Sequence, residues 1–105
     1  MELTKIEETE LALKVIEKED LAYLKVEELD ANIALNDSNV EDIERLFNSI
    51  FDYVIGHEKL PVFKLESYGG NLYHVLANDL VEFLNTEIRA SEQEFTEILK
   101  YKGKS

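Results

Sequence analysis

Between Asn39 and Ile55 the chain carries an apolar pattern that a helix alone can gather. Val40, Ile43, Leu46, Phe47, Ile50, Phe51 and Val54 recur in steps of three and four, which brings them to one side of a 3.6-residue repeat. The flanks agree. Ser38 and Glu41 have the spacing of a capping box, in which each side chain reaches the other's backbone N–H. Glu41 and Arg45 stand four apart in the favourable order, and Gly56 is placed for a left-handed C-cap. The spacing therefore predicts a helix over 39–55 with a broad apolar face.

Two further helices and one strand follow. Leu60-Pro61-Val62-Phe63-Lys64-Leu65-Glu66 reads as a short strand near 61–67, with Phe63 and Leu65 on one side and Gly69-Gly70 ending it. The next segment has two readings. As one helix from Leu72, it lines Leu72, Leu76, Leu80 and Phe83 on a face, with Leu84 and Ile88 beside it. Alternatively, residues 71–76 return as a strand and the helix starts at Asp79, where Asp79 and Glu82 also fit a capping box. Its end is expected near residue 89. A last helix is predicted over 92–101, capped by Ser91 with Glu94, with Phe95, Ile98, Leu99 and Lys102 on a shared face. Lys100, Lys102 and Lys104 suit the negative end of its dipole.

The first third is open to two readings as well. Leu11, Leu13 and Val15 alternate with small or polar residues. So do Ala22, Leu24 and Val26, after the polar run Glu17-Lys18-Glu19-Asp20, and Asn32 to Leu35 suits a further short strand. That pattern makes a hairpin. Yet Glu, Lys, Leu and Ala are good helix formers. The favoured fold class is α+β: a small antiparallel sheet, made of the N-terminal hairpin and the strand near 61–67, packed by about three helices. The alternative is an all-α bundle. At 105 residues the chain is expected to form a single domain over 1–105.

Composition narrows the chemistry. With no cysteine, disulfides, thiolate metal sites and a Cys nucleophile are excluded. The start, MELTKIEETE, lacks the basic and apolar regions of a signal peptide. Apolar runs fall far short of the ~20 residues that span a membrane. These features favour a cytoplasmic setting with no membrane partner. His57 and His74 lack the close companions of a zinc site. They read as a solvated residue near a helix end and a half-buried, satisfied side chain. Asp30, Asn32, Asn36, Ser38 and Glu41 echo a calcium loop, but Ala34 and Leu35 stand where a liganding oxygen and a glycine are required. No cofactor, metal or catalytic residue is assigned, and an enzyme is not expected.

What remains is charge. Twenty-three acidic residues against eleven basic ones give −12, beyond the magnitude of about 2–8 that suffices to keep a small domain soluble. Such a field repels nucleic acid and anionic lipid and attracts basic proteins. The excess persists through every predicted element, so it belongs to a folded surface. The sequence thus points to a non-enzymatic acidic interaction protein. It would inhibit a basic, nucleic-acid-handling partner by mimicking nucleic acid, as small proteins of phages and mobile elements do in anti-defence and immunity roles. The residues expected to meet that partner are Glu41, Asp42, Glu44, Asp52, Tyr53, Tyr68, Glu82 and Glu87. Tyr enters because it is enriched at interface centres. The alternative is a regulatory or structural module, homo-oligomers included, whose acidity serves solubility only.

Overall fold

Strand β1 (Glu7–Lys18) is the spine of the structure, a computed structural model that describes residues 6–19, 21–35, 40–66 and 69–102. The alternation read from the sequence is realised: Leu11 and Leu13 are buried while Ala12 and Lys14 are exposed. β2 (Leu21–Val26) returns antiparallel, with Leu13 opposite Val26 and Lys18 opposite Leu21. Glu19, in the turn, takes a left-handed φ of 54°. A 3-10 turn (Glu27–Leu29) then leads to β3 (Ala31–Ala34), antiparallel to β2. The turn ends on Asp30 with φ 48°, a conformation that short Asp side chains tolerate better than most. The α+β reading therefore holds over the all-α alternative. The first third is rich in helix formers, but its period-two pattern buries one face, and burial outweighs propensity.

The sheet is mixed, and this corrects the expected antiparallel arrangement. Helix α1 (Val40–His57) contacts both β3 and β4 (Lys59–Leu65), the strands at the two edges of the order β3-β2-β1-β4. A crossover of that length delivers a parallel strand. β4 accordingly pairs parallel with β1, Leu11 opposite Phe63 and Leu13 opposite Leu65. β1 is thus staggered: β4 pairs with its residues 7–13 and β2 with its residues 13–18. The stagger draws the molecule out to 52 × 23 × 19 Å.

β4 has an edge that needs protection. Helix α2 (Leu72–Ala90) supplies it through Asn85. The Phe63 N–H donates to Asn85 Oδ1 at 2.8 Å, and Asn85 Nδ2 donates to the Phe63 carbonyl at 2.8 Å. One side-chain amide thus stands in for the peptide of a missing strand. Pro61, two residues earlier, has the same orientation. Its absent N–H therefore points away from β1 and costs no ladder bond.

Helix ends depart from expectation in informative ways. Gly56 lies inside α1 and does not cap it. The left-handed residue is Glu58, φ 56°, whose N–H donates to the Val54 carbonyl at 2.8 Å and turns the chain into β4. The predicted Ser38 cap lies outside the described residues. α2 is one helix from Leu72, so Asp79 does not start it. Asn71 caps it, accepting from the His74 N–H at 3.0 Å. The same Asn71 donates to Glu17 at the far end of β1, 3.0 Å away. Ser91 joins α2 to α3 (Glu92–Lys102), its carbonyl accepting from the Phe95 N–H at 3.1 Å.

One core unites these elements. The sheet contributes Leu11, Leu13, Leu24, Val26, Ile33 and Phe63; α1 adds Leu46, Ile50 and Val54; α2 adds Ala77, Val81, Leu84 and Ile88; α3 adds Phe95. Of the α2 residues read from the sequence, the buried ones are Leu84 and Ile88, which the spacing sets beside the face of Leu72 and Phe83. Leu72, Leu76 and Phe83 are exposed, and Leu80 is half-buried. Two asparagines, Asn71 and Asn85, pin the helix to the sheet, and the small Ala77 suits the close approach on the side between them.

Candidate interaction surface

The charge is unevenly spread over the elements. The three helices hold ten carboxylates against four Lys or Arg, a net of −6, whereas the four strands hold four carboxylates against five lysines, a net of +1. Alternation puts Lys14, Lys18, Lys25 and Lys64 on the sheet face opposite the core, with Lys14 directly across from Lys25. Two of these lysines pair with carboxylates. Lys14 lies 3.6 Å from both Glu27 and Glu66, and Lys64 lies 3.5 Å from Glu10. The described turns and the 3-10 segment add six carboxylates, Glu19, Glu27, Glu28, Asp30, Glu58 and Glu66, and no Lys or Arg.

Of the residues predicted to meet a partner, three make a coherent set. Glu41, Glu44 and Asp52 are exposed on α1. Glu41, Arg45, Asn48 and Asp52 succeed one another at steps of three and four, along the ridge opposite the buried Leu46, Ile50 and Val54. Glu41 and Glu44 are one turn apart, and Asp52 follows Glu44 by about 12 Å along the axis. Glu82 and Glu87 are exposed on α2. They lie on opposite flanks of that helix, because five residues rotate a position by well over a quarter turn.

Two other assigned residues are less exposed. Asp42 is turned inward, its side chain only 17% exposed, and it accepts from Arg45 at 2.9 Å. The expected pairing of Arg45 with Glu41 thus gives way to one with Asp42, and this carboxylate is already engaged. Tyr53 is half-buried against the core, and its ring stacks on His57 with centroids 4.1 Å apart. It is a packing residue. Tyr68 lies outside the described residues.

The surface feature missed in the sequence is apolar. Leu72, Leu76 and Phe83 are 67%, 37% and 46% exposed. With Leu80 they form a stripe at steps of four, four and three along α2. The stripe continues onto α1. Phe83 meets the Phe47 ring edge-on at 6.5 Å, and Phe51, also partly exposed, follows Phe47 by one turn and packs on Phe95 at 5.1 Å. The sequence did display this pattern, since Leu72, Leu76, Leu80 and Phe83 are the residues read as lining one face of the helix. The signal overlooked was that Ala77, Val81, Leu84 and Ile88 form a second, equally regular stripe.

Each histidine ring lies against a neighbouring oxygen. His57 ends α1, exposed, with Nδ1 3.1 Å from the Tyr53 carbonyl oxygen. His74 sits 2.7 Å from the Asn71 side-chain oxygen through Nδ1, and Gly69 lies against the ring so closely that a Cβ there would stand 3.1 Å from it. Among the described residues no group of three or more His, Asp or Glu is placed to hold a metal ion, and no helix is long and apolar enough to cross a membrane. No protein family, no curated protein and no solved structure matches the chain.

Proposed function

We propose that this chain is a non-enzymatic binding protein of the cytoplasm that uses its helical side to occupy a basic surface of a nucleic-acid-handling protein, and so competes with nucleic acid. The observation that carries the reading is the set of outward carboxylates on α1. Here Glu41, Glu44 and Asp52 stand outward on one rigid helix, held in place by the buried Leu46, Ile50 and Val54. Carboxylates fixed at such separations offer a Lys/Arg groove an array of anions comparable in spacing to phosphates along a strand.

The test is affinity capture from host lysate at two salt concentrations, followed by challenge of the captured protein with nucleic acid. The expected partner is basic, is lost as salt rises, and is displaced by added DNA or RNA. Capture that is indifferent to salt, or a partner that holds nucleic acid and this protein together without mutual loss, overturns the reading.

A further inference from the structure

We propose that the stripe formed by Leu72, Leu76, Leu80 and Phe83 of α2, continued by Phe47 and Phe51 of α1, is the seat of a basic amphipathic helix supplied by the partner. The proposal rests on the functional reading above and names the surface and the kind of element that docks there. A helix apolar on one face only has its needs met by the core it covers. α2 is apolar on two. Its first face, Ala77, Val81, Leu84 and Ile88, is buried. Its second is aimed outward and joins α1 through the Phe47–Phe83 ring contact. Leu72, Leu76, Leu80 and Phe83 present anchors at the i, i+4, i+8 and i+11 positions, a spacing that a second helix laid alongside can meet with its own apolar face.

Charge selects the occupant. The charged residues three or four positions from any stripe residue on these two helices are Glu44, Asp79 and Glu87, all acidic and all exposed. Leu76 and Phe83 bracket Asp79, Glu87 follows Phe83 by one turn, and Glu44 precedes Phe47. An apolar strip flanked by carboxylates matches a helix that carries Leu-like residues on one face and Lys or Arg at its margins. The same flanks argue against the other apolar occupants. A second copy placed stripe to stripe would bring like-charged flanks together, and an anionic lipid surface would be repelled.

The experiment uses the full chain, labelled with nitrogen-15, and a synthetic helical peptide of about 18 residues built from Leu and Lys with one apolar face. Its scrambled isomer and an equivalent peptide of Leu and Glu are the controls. Affinity is read by fluorescence anisotropy, contact by amide chemical shifts, and oligomeric state by light scattering. The amphipathic Leu/Lys peptide is expected to bind. Its shifts should concentrate at Leu72, Leu76, Leu80, Phe83 and Phe47, and Leu72→Ser and Leu76→Ser should each weaken it by about tenfold or more. Asp79→Lys should weaken it by about fivefold at low salt. Both serine variants are at exposed positions, and unchanged far-ultraviolet circular dichroism will show that they fold. If the scrambled peptide binds as tightly, or the shifts lie elsewhere, the stripe is not the seat, although attraction to a basic partner stands. If neither Leu/Lys peptide binds, the functional reading falls with it. If the Leu/Glu peptide binds equally, or if the protein is a dimer that Leu76→Ser dissociates, the basic helix is not the occupant.

Discussion

Asn85 is a small part of the molecule on which much of the sheet depends. Its amide makes two part-buried bonds of 2.8 Å to the backbone of Phe63 on the edge strand. Replacing it with Ala removes both. Each is worth about 1 kcal/mol net, and the orphaned N–H and carbonyl add a desolvation cost of about 1–3 kcal/mol, reduced where water can enter. The expected loss is about 2–4 kcal/mol, a large share of the 5–15 kcal/mol typical of a domain. For a chain of this size it lowers Tm by roughly 10–20 °C. Thermal and urea unfolding followed by circular dichroism measures the loss. Hydrogen exchange at the Phe63 amide reports the bond itself, and that amide should lose most of its protection. Asn48→Ala, the same change at an exposed position of α1, should stay within about 0.5 kcal/mol. A loss below about 1 kcal/mol for Asn85→Ala, or unaltered exchange at Phe63, would refute the idea that one side chain closes this edge.

Other outcomes follow from the same geometry. Leu84→Ala, at a fully buried site, should cost about 2–5 kcal/mol; Leu72→Ala on the opposite stripe should cost under about 0.5 kcal/mol, and urea titrations of the pair decide which face of α2 is the core. Asn71→Ala removes the cap that receives the His74 N–H and should cost about 1 kcal/mol, read in the same titrations. Gly69→Ala crowds the His74 ring, 3.1 Å from the added Cβ, and should cost about 1 kcal/mol; adding His74→Ala should recover most of that increment in a double-mutant cycle.

The sequence made the helices legible because their patterns are long and regular. It made the hairpin legible because Leu11, Leu13, Leu24 and Val26 alternate strictly. It could not show that β4 runs parallel to β1, because direction depends on where α1 carries the chain and not on anything local to residues 59–65. Gly56 misled for a related reason. The helix ends where β4 must begin, so Glu58 took the left-handed turn although glycine is the better residue for it. The acidic surface was legible in amount but not in place. Outward Glu41, Glu44 and Asp52 follow from the α1 pattern, whereas the inward turn of Asp42 and the stacking of Tyr53 on His57 are matters of rotamer and packing. The apolar stripe on α2 was visible as spacing, but a helix with two regular apolar faces gives periodicity no means of choosing which one is the core. The choice was made by Asn71 and Asn85, polar residues whose partners lie 54 and 22 positions away in the chain.

The central claim is that the helical side of this protein takes the place of nucleic acid on a basic partner. Its most direct measurement is the partner's affinity for labelled nucleic acid, titrated with the wild-type chain and with the charge-reversed triple variant Glu41→Lys, Glu44→Lys, Asp52→Lys, at low and at high salt. The account predicts that the wild type displaces the nucleic acid at low salt, that high salt abolishes the displacement, and that the triple variant loses it while remaining folded. Displacement by the triple variant as effective as by the wild type, or a stable assembly of partner, nucleic acid and this protein, would contradict it.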